Sequence, residues 1–150
     1  MAGSVASASN LPKEHKQILK SVIHVNCADV ERQGHGLKNI ENILQAVEEA
    51  AAIEVVCHGA GISLLVTDQS KHGPHVKELK TQGVRFAACE NTMKQKSLSK
   101  EELLPGVRTV PSGAVEVIKK QQEGYGYSSL EETNGLRHSD FPALQPYHDG

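Results

Sequence analysis

The sequence predicts an α/β domain with a parallel sheet covered by helices on both faces. Two observations carry that expectation. Short runs rich in β-branched residues recur along the chain, and stretches with helical spacing of apolar residues separate them. Strands that alternate with helices need crossover connections, and crossovers pair strands in parallel.

The elements follow in order. Ala, Ser and Gly dominate MAGSVASASNLP at the start, so residues 1–20 are expected to be a mobile leader that ends in the start of the domain. SVIHVNCAD brings Val22, Ile23 and Val25 together, as a buried strand requires. VERQGHG reads as a polar loop. In LKNIENILQAVEEAAA, residues Leu37, Ile40, Ile43, Leu44, Val47 and Ala51 recur at three- and four-residue steps, the mark of a helix with one core face. IEVVCHGAG is a second strand that runs into a glycine-rich turn. ISLLVTDQ fits a short helix or an apolar loop equally well. HGPHVKELKTQG is a helix, with Pro74 in its first turn and Gly83 to close it.

VRFAAC is a third strand, and ENTMKQK after it a short helix or turn. Ser99 and Glu102 have the spacing of a capping box, and Pro105 ends the helix that box would start. VRTV is a fourth strand. GAVEVIKKQQEG is a helix expected to turn Ala114, Val117 and Ile118 inward, and YGY is a final strand. The domain is thus expected over residues 21–127, and residues 128–150 as a polar tail without sustained periodicity.

Composition excludes several classes of function. With 150 residues and 38% apolar content the chain is one ordinary domain with a modest core. Lys and Arg total 16 against 18 Asp and Glu, so no field draws nucleic acid or an anionic membrane. Aromatics at 3% are too few for a base-stacking platform. The N-terminal stretch lacks a basic segment and a continuous apolar core, and no apolar run is long enough to span a bilayer. Three cysteines, an odd and widely spaced set, do not make a secreted disulfide framework, so a cytoplasmic, reducing setting is expected. GxGxxG and GxxxxGK[ST] are both missing, which removes dinucleotide and P-loop sites.

The cysteines carry the chemistry. Cys27, Cys57 and Cys89 each close a strand, and the carboxyl edge of a parallel sheet is where ligands bind. Cys27 and Cys57 read first as small core hydrophobes. His58 follows Cys57, but neighbouring strand residues face opposite ways. Cys89 differs, because the polar helix start Glu90, Asn91, Thr92 follows it and amides there favour a thiolate. Glu90 opposes that effect. His24 and His58 with the thiols would supply enough zinc ligands, but no close pair exists in the sequence and no metal is expected. His35, His72 and His75 sit in polar stretches and are expected to be solvated. The HGAG turn, with Gly59 and Gly61, serves a tight turn before it serves an anion.

Three segments together, CHGAGI, KELKTQGVRFAACENTM and LLPGVRTVPSGAVEVIKKQQEGYGY, resemble the DsrE/DsrF-like family, in particular its small stand-alone branch. The likeness runs from about Val22 to Tyr127. It implies a three-layer α/β/α sandwich with a five-stranded, mostly parallel sheet, and assembly as a homo-oligomer, a trimer or hexamer. It also implies a sulfur relay in which a cysteine after a middle strand carries sulfur as a persulfide, exchanged with sulfur-donor and sulfur-acceptor proteins. Cys89 occupies that position. Cys27, Cys57, His58, Gly59, Gly61, Asn91 and Thr92 would form the pocket around it, and no cofactor is implied. Two readings compete with a persulfide carrier or sulfurtransferase. One is a non-catalytic binding or assembly module with packed cysteines. The other is a redox sensor in which Cys89 pairs with Cys27 or Cys57.

Overall fold

The computed structural model describes residues 18–47 and 50–130. The expected leader before residue 18 and the expected tail from residue 131 lie outside them. Five strands form one sheet: β1 (Leu19–Val25), β2 (Ala51–Cys57), β3 (Arg85–Cys89), β4 (Arg108–Val110) and β5 (Gly126–Leu130). The order across the sheet is β4-β3-β2-β1-β5, and every neighbouring pair is parallel. Four α-helices connect the strands: α1 (Val30–Ala46), α2 (Gly73–Thr81), α3 (Glu90–Gln95) and α4 (Gly113–Gln122).

The strands' alternation gives the sheet two cores. Ile23, Val25, Ile53, Val55, Phe86 and Ala88 face α1 and α2, where Leu37, Ile40, Val76 and Leu79 pack on them. Val22, Val56 and Ala87 face the other way, toward Val117 of α4. That second face is thinner. It also holds Glu54, which is fully buried and bonded to Arg108, with Lys120 Nζ at 3.5 Å and Arg85 at 3.9 Å. Burial and the hydrogen bond to Glu116 push the Glu54 carboxyl up, and Arg108 opposes them.

Several elements depart from the sequence expectation. VERQGHG is not a loop but the first two turns of α1, capped by Asp29, whose side chain accepts from the Arg32 amide at 2.8 Å. Two glycines cost a helix roughly 1 kcal/mol each against alanine. Tertiary contacts outweigh that cost here: a Cβ on Gly34 would meet the His72 ring at 2.9 Å, and one on Gly36 would run into Leu130. The helix stops at Ala46, and Ala51 opens β2 instead of closing α1. ISLLV resolves into a 3-10 helix over Gly59–Leu65. The Ser99–Glu102 box forms and starts a single 3-10 turn.

On α4 the inward face is Gly113 and Val117, whereas Ala114 is exposed and Ile118 is 53% exposed. Gly113 must lie against the sheet, and the residue four places on follows it inward. The final strand runs past YGY to Leu130. His72 and His75 are half-buried and partnered rather than fully solvated: His72 bonds the Val30 carbonyl at 2.7 Å and His75 lies 3.3 Å from Glu41, tying α2 to α1. Among the described residues no helix is long and apolar enough to cross a membrane.

Candidate functional site

All three cysteines are buried thiols, but they do not share a site. Cys57 ends β2 on the α1/α2 face, within the larger core. Burial pushes its thiol far above the ordinary range, and the nearby Cys27 thiol adds to the rise. Cys27 follows β1 by two residues, and its carbonyl accepts from Gln33 Nε2 at 2.7 Å. Cys89 ends β3 on the opposite face. The register pairs Cys57 with Ala88, so the next positions, His58 and Cys89, stand side by side toward α4.

Gly113 lies between and above them. A Cβ there would sit 3.1 Å from the His58 Cβ, 3.3 Å from the Cys89 Cβ and 3.3 Å from Val56. Glycine lets the first turn of α4 come down onto the strand ends, and Ser112 caps that turn by accepting from the Val115 amide.

Two effects compete at Cys89. Burial raises its pKa, since the residue is only 3% exposed and a thiolate loses water. Against burial stand the backbone amides of Gly113, Thr92 and Asn91 and the Thr92 hydroxyl, which favour the thiolate. The donors win, and the thiol is held below its ordinary value. Thr92 is held in place to donate, because its Oγ1 accepts from the Gly59 amide at 2.9 Å, which leaves its own proton for the sulfur. Glu90, which would oppose a thiolate, is turned aside to accept from Thr109 Oγ1 at 2.7 Å.

Of the expected pocket, Asn91 and Thr92 supply donors that lower the Cys89 pKa, Gly59 positions Thr92, and His58 stands beside Cys89. Gly61 permits the turn to pass against the Val25 carbonyl and touches no sulfur. Cys27 and Cys57 lie behind the sheet, so a disulfide from Cys89 to either would have to cross it.

Gly113 and Tyr127 were not singled out for this site by sequence, and His24 was weighed only as a zinc ligand. Gly113 comes from a different crossover. His24 and Tyr127 come from β1 and β5 and extend the site from His58: His24 Nε2 is 2.7 Å from His58 Nδ1, and His24 Nδ1 is 3.3 Å from the Tyr127 hydroxyl. The two imidazoles also stack, with centroids 4.2 Å apart. Burial holds the His58 imidazole below its ordinary pKa. Among the described residues no group of three His, Cys, Asp or Glu side chains is placed to hold a metal ion.

Comparison with known proteins agrees with this architecture. The structure of a protein of unknown function, MTH1491 from Methanobacterium thermoautotrophicum, is similar at a TM-score of 0.71 and 34% identity, over 74% of this chain and 98% of that one. No curated protein matches the sequence. The DsrE/DsrF-like family model matches residues 20–127, from the first strand to the last and across the whole thiolate site. The chain therefore belongs to the DsrE/DsrF-like family.

Proposed function

We propose that this protein is a cytoplasmic sulfur-handling protein in which Cys89 accepts and passes on sulfur as a persulfide. One observation carries the reading: the Gly113, Thr92 and Asn91 amides and the Thr92 hydroxyl outweigh burial and hold the Cys89 thiol below its ordinary pKa. The family points the same way, toward roles related to sulfur relay. In loading, the Cys89 thiolate attacks the terminal sulfur of a donor persulfide. A new S–S bond forms to Cys89, the donor's S–S bond breaks, and the donor leaves as a thiolate. In unloading, an acceptor thiolate attacks the outer sulfur and the Cys89 thiolate leaves. Neither step needs an outside oxidant. The donors that lower the Cys89 pKa also stabilise its thiolate as a leaving group.

The test is intact-mass spectrometry after incubation with glutathione persulfide. Wild type is expected to gain about 32 Da, one sulfur atom, and Cys89→Ser to gain nothing. An adduct that persists in Cys89→Ser removes the assignment.

A second reading, a binding or assembly module with packed cysteines, draws support from the 3% exposure of Cys89. Iodoacetamide separates the two. Alkylation of Cys89 at pH 7 faster than that of free cysteine supports the thiolate; a slower rate supports packing. We further propose a homo-oligomer, a trimer or hexamer, whose surface includes Val115 and Ile118 of α4, apolar residues 47% and 53% exposed.

A further inference from the structure

Two histidines and a tyrosine beside the thiolate site have no role in holding the sulfur anion, yet they form an unbroken line of hydrogen bonds. Tyr127 on the edge strand β5 is 45% exposed and meets water. Its hydroxyl is 3.3 Å from His24 Nδ1, and His24 Nε2 is 2.7 Å from His58 Nδ1. His58 is half-buried and flanks Cys89 across Gly113. One consistent polarity lets every member both accept and donate: Tyr127 O–H to His24 Nδ1, His24 Nε2–H to His58 Nδ1, and the remaining proton on His58 Nε2. Tyr127 and His24 lie on the neighbouring strands β5 and β1, and His58 directly follows the next strand, β2, so the sheet itself sets the line.

We propose that Tyr127, His24 and His58 form a proton relay between solvent and the sulfur chemistry at Cys89. The inference rests on the persulfide reading above. In loading, the donor leaves as RS⁻ into a site with little access to water. His58 gives its Nε2 proton to RS⁻, which departs as RSH. His58 then takes a proton at Nδ1 from His24 Nε2, His24 takes one at Nδ1 from the Tyr127 hydroxyl, and Tyr127 is reprotonated by water. One proton moves inward, both imidazoles end neutral, and each has changed tautomer. In unloading, the acceptor R′SH gives its proton to His58 Nε2 and attacks as R′S⁻. That proton equivalent leaves by the same line, and the tautomers reset. A neutral His58 suits this traffic, and burial keeps it neutral.

The experiment compares wild type with His24→Gln and Tyr127→Phe, using glutathione persulfide as donor and time-resolved intact mass as the readout. Loading is expected to slow about tenfold in each variant, at the low end for a positioned acid–base group. The rate ratio between H2O and D2O is expected to fall toward one, a change that a merely structural role would not produce. Alkylation of Cys89 by iodoacetamide is expected to stay at the wild-type rate, because neither residue touches the sulfur. Wild-type loading rates in both variants overturn the relay and leave the persulfide reading standing. Slow loading with an unchanged isotope ratio overturns it too, as does an equal fall in alkylation, which traces the loss to the thiolate. A wild-type protein that takes up no sulfur at all overturns the persulfide reading and the relay with it.

Discussion

Thr92 shows how much one side chain decides. It is buried, its hydroxyl is oriented by the Gly59 amide, and both its backbone amide and its hydroxyl lower the Cys89 pKa. A hydrogen bond to a charged group contributes about 1.5 kcal/mol or more. Thr92→Val keeps the shape and removes the hydroxyl, so alkylation of Cys89 at pH 7 is expected to slow about tenfold. A rate equal to wild type would show that the amides alone hold the anion. The same donors link reactivity to stability. The folded Cys89 pKa lies below that of the unfolded thiol, so the anion's contribution is present above the unfolded pKa and is lost as pH falls through the folded one. Wild type should therefore gain stability relative to Cys89→Ser as pH rises, measured by denaturant unfolding at several pH values.

Among the elements, the meeting of α4 with the ends of β2 and β3 is the tightest point of the site. Gly113→Ala would gain about 0.5–1 kcal/mol from helix preference. The added methyl would press on three atoms fixed to the sheet, the Cβ atoms of His58 and Cys89 and a Val56 methyl. Overpacking costs about 1–3 kcal/mol, so a net loss of about 1 kcal/mol is expected in denaturant unfolding, with slower Cys89 alkylation as the Gly113 amide is pushed back. Much at this scale was legible in the sequence. β-Branched runs located the strands, and the spacing of Val76 and Leu79 located α2, because burial on a fixed period leaves a pattern. That Asn91 and Thr92 lie next to Cys89 at a helix start could be read from the sequence, because they are local to it. The helical start of α1 was not, because Gly34 and Gly36 are explained by His72 and Leu130, far away in sequence. Nor was the pairing of His58 with Cys89, since strand register is not written in either strand alone. The inward turn of Ile118 failed for a related reason: the helix is clocked by Gly113, and a residue without a side chain leaves no mark in an apolar pattern.

Across the whole molecule, coverage of the sheet is uneven. α1 and α2 bury one face deeply, whereas on the other α4 leaves Val115 and Ile118 in water. Burying an isoleucine is worth about 1.5–3 kcal/mol, a strong incentive for a second copy to cover it. Light scattering is expected to give a mass of three or six chains for wild type and a smaller one for Ile118→Glu; a monomeric wild type would remove the oligomer proposal.

Gly113 also has a temporal meaning. The groups that ionise Cys89 are split between its own crossover and the next one, and the Thr92 hydroxyl is set by a turn that precedes both. Until α4 docks, position 89 lacks the Gly113 amide and is expected to carry a thiol with a higher pKa. The labelling rate at that position is expected to change when α4 docks, so chemical labelling there should report completed folding.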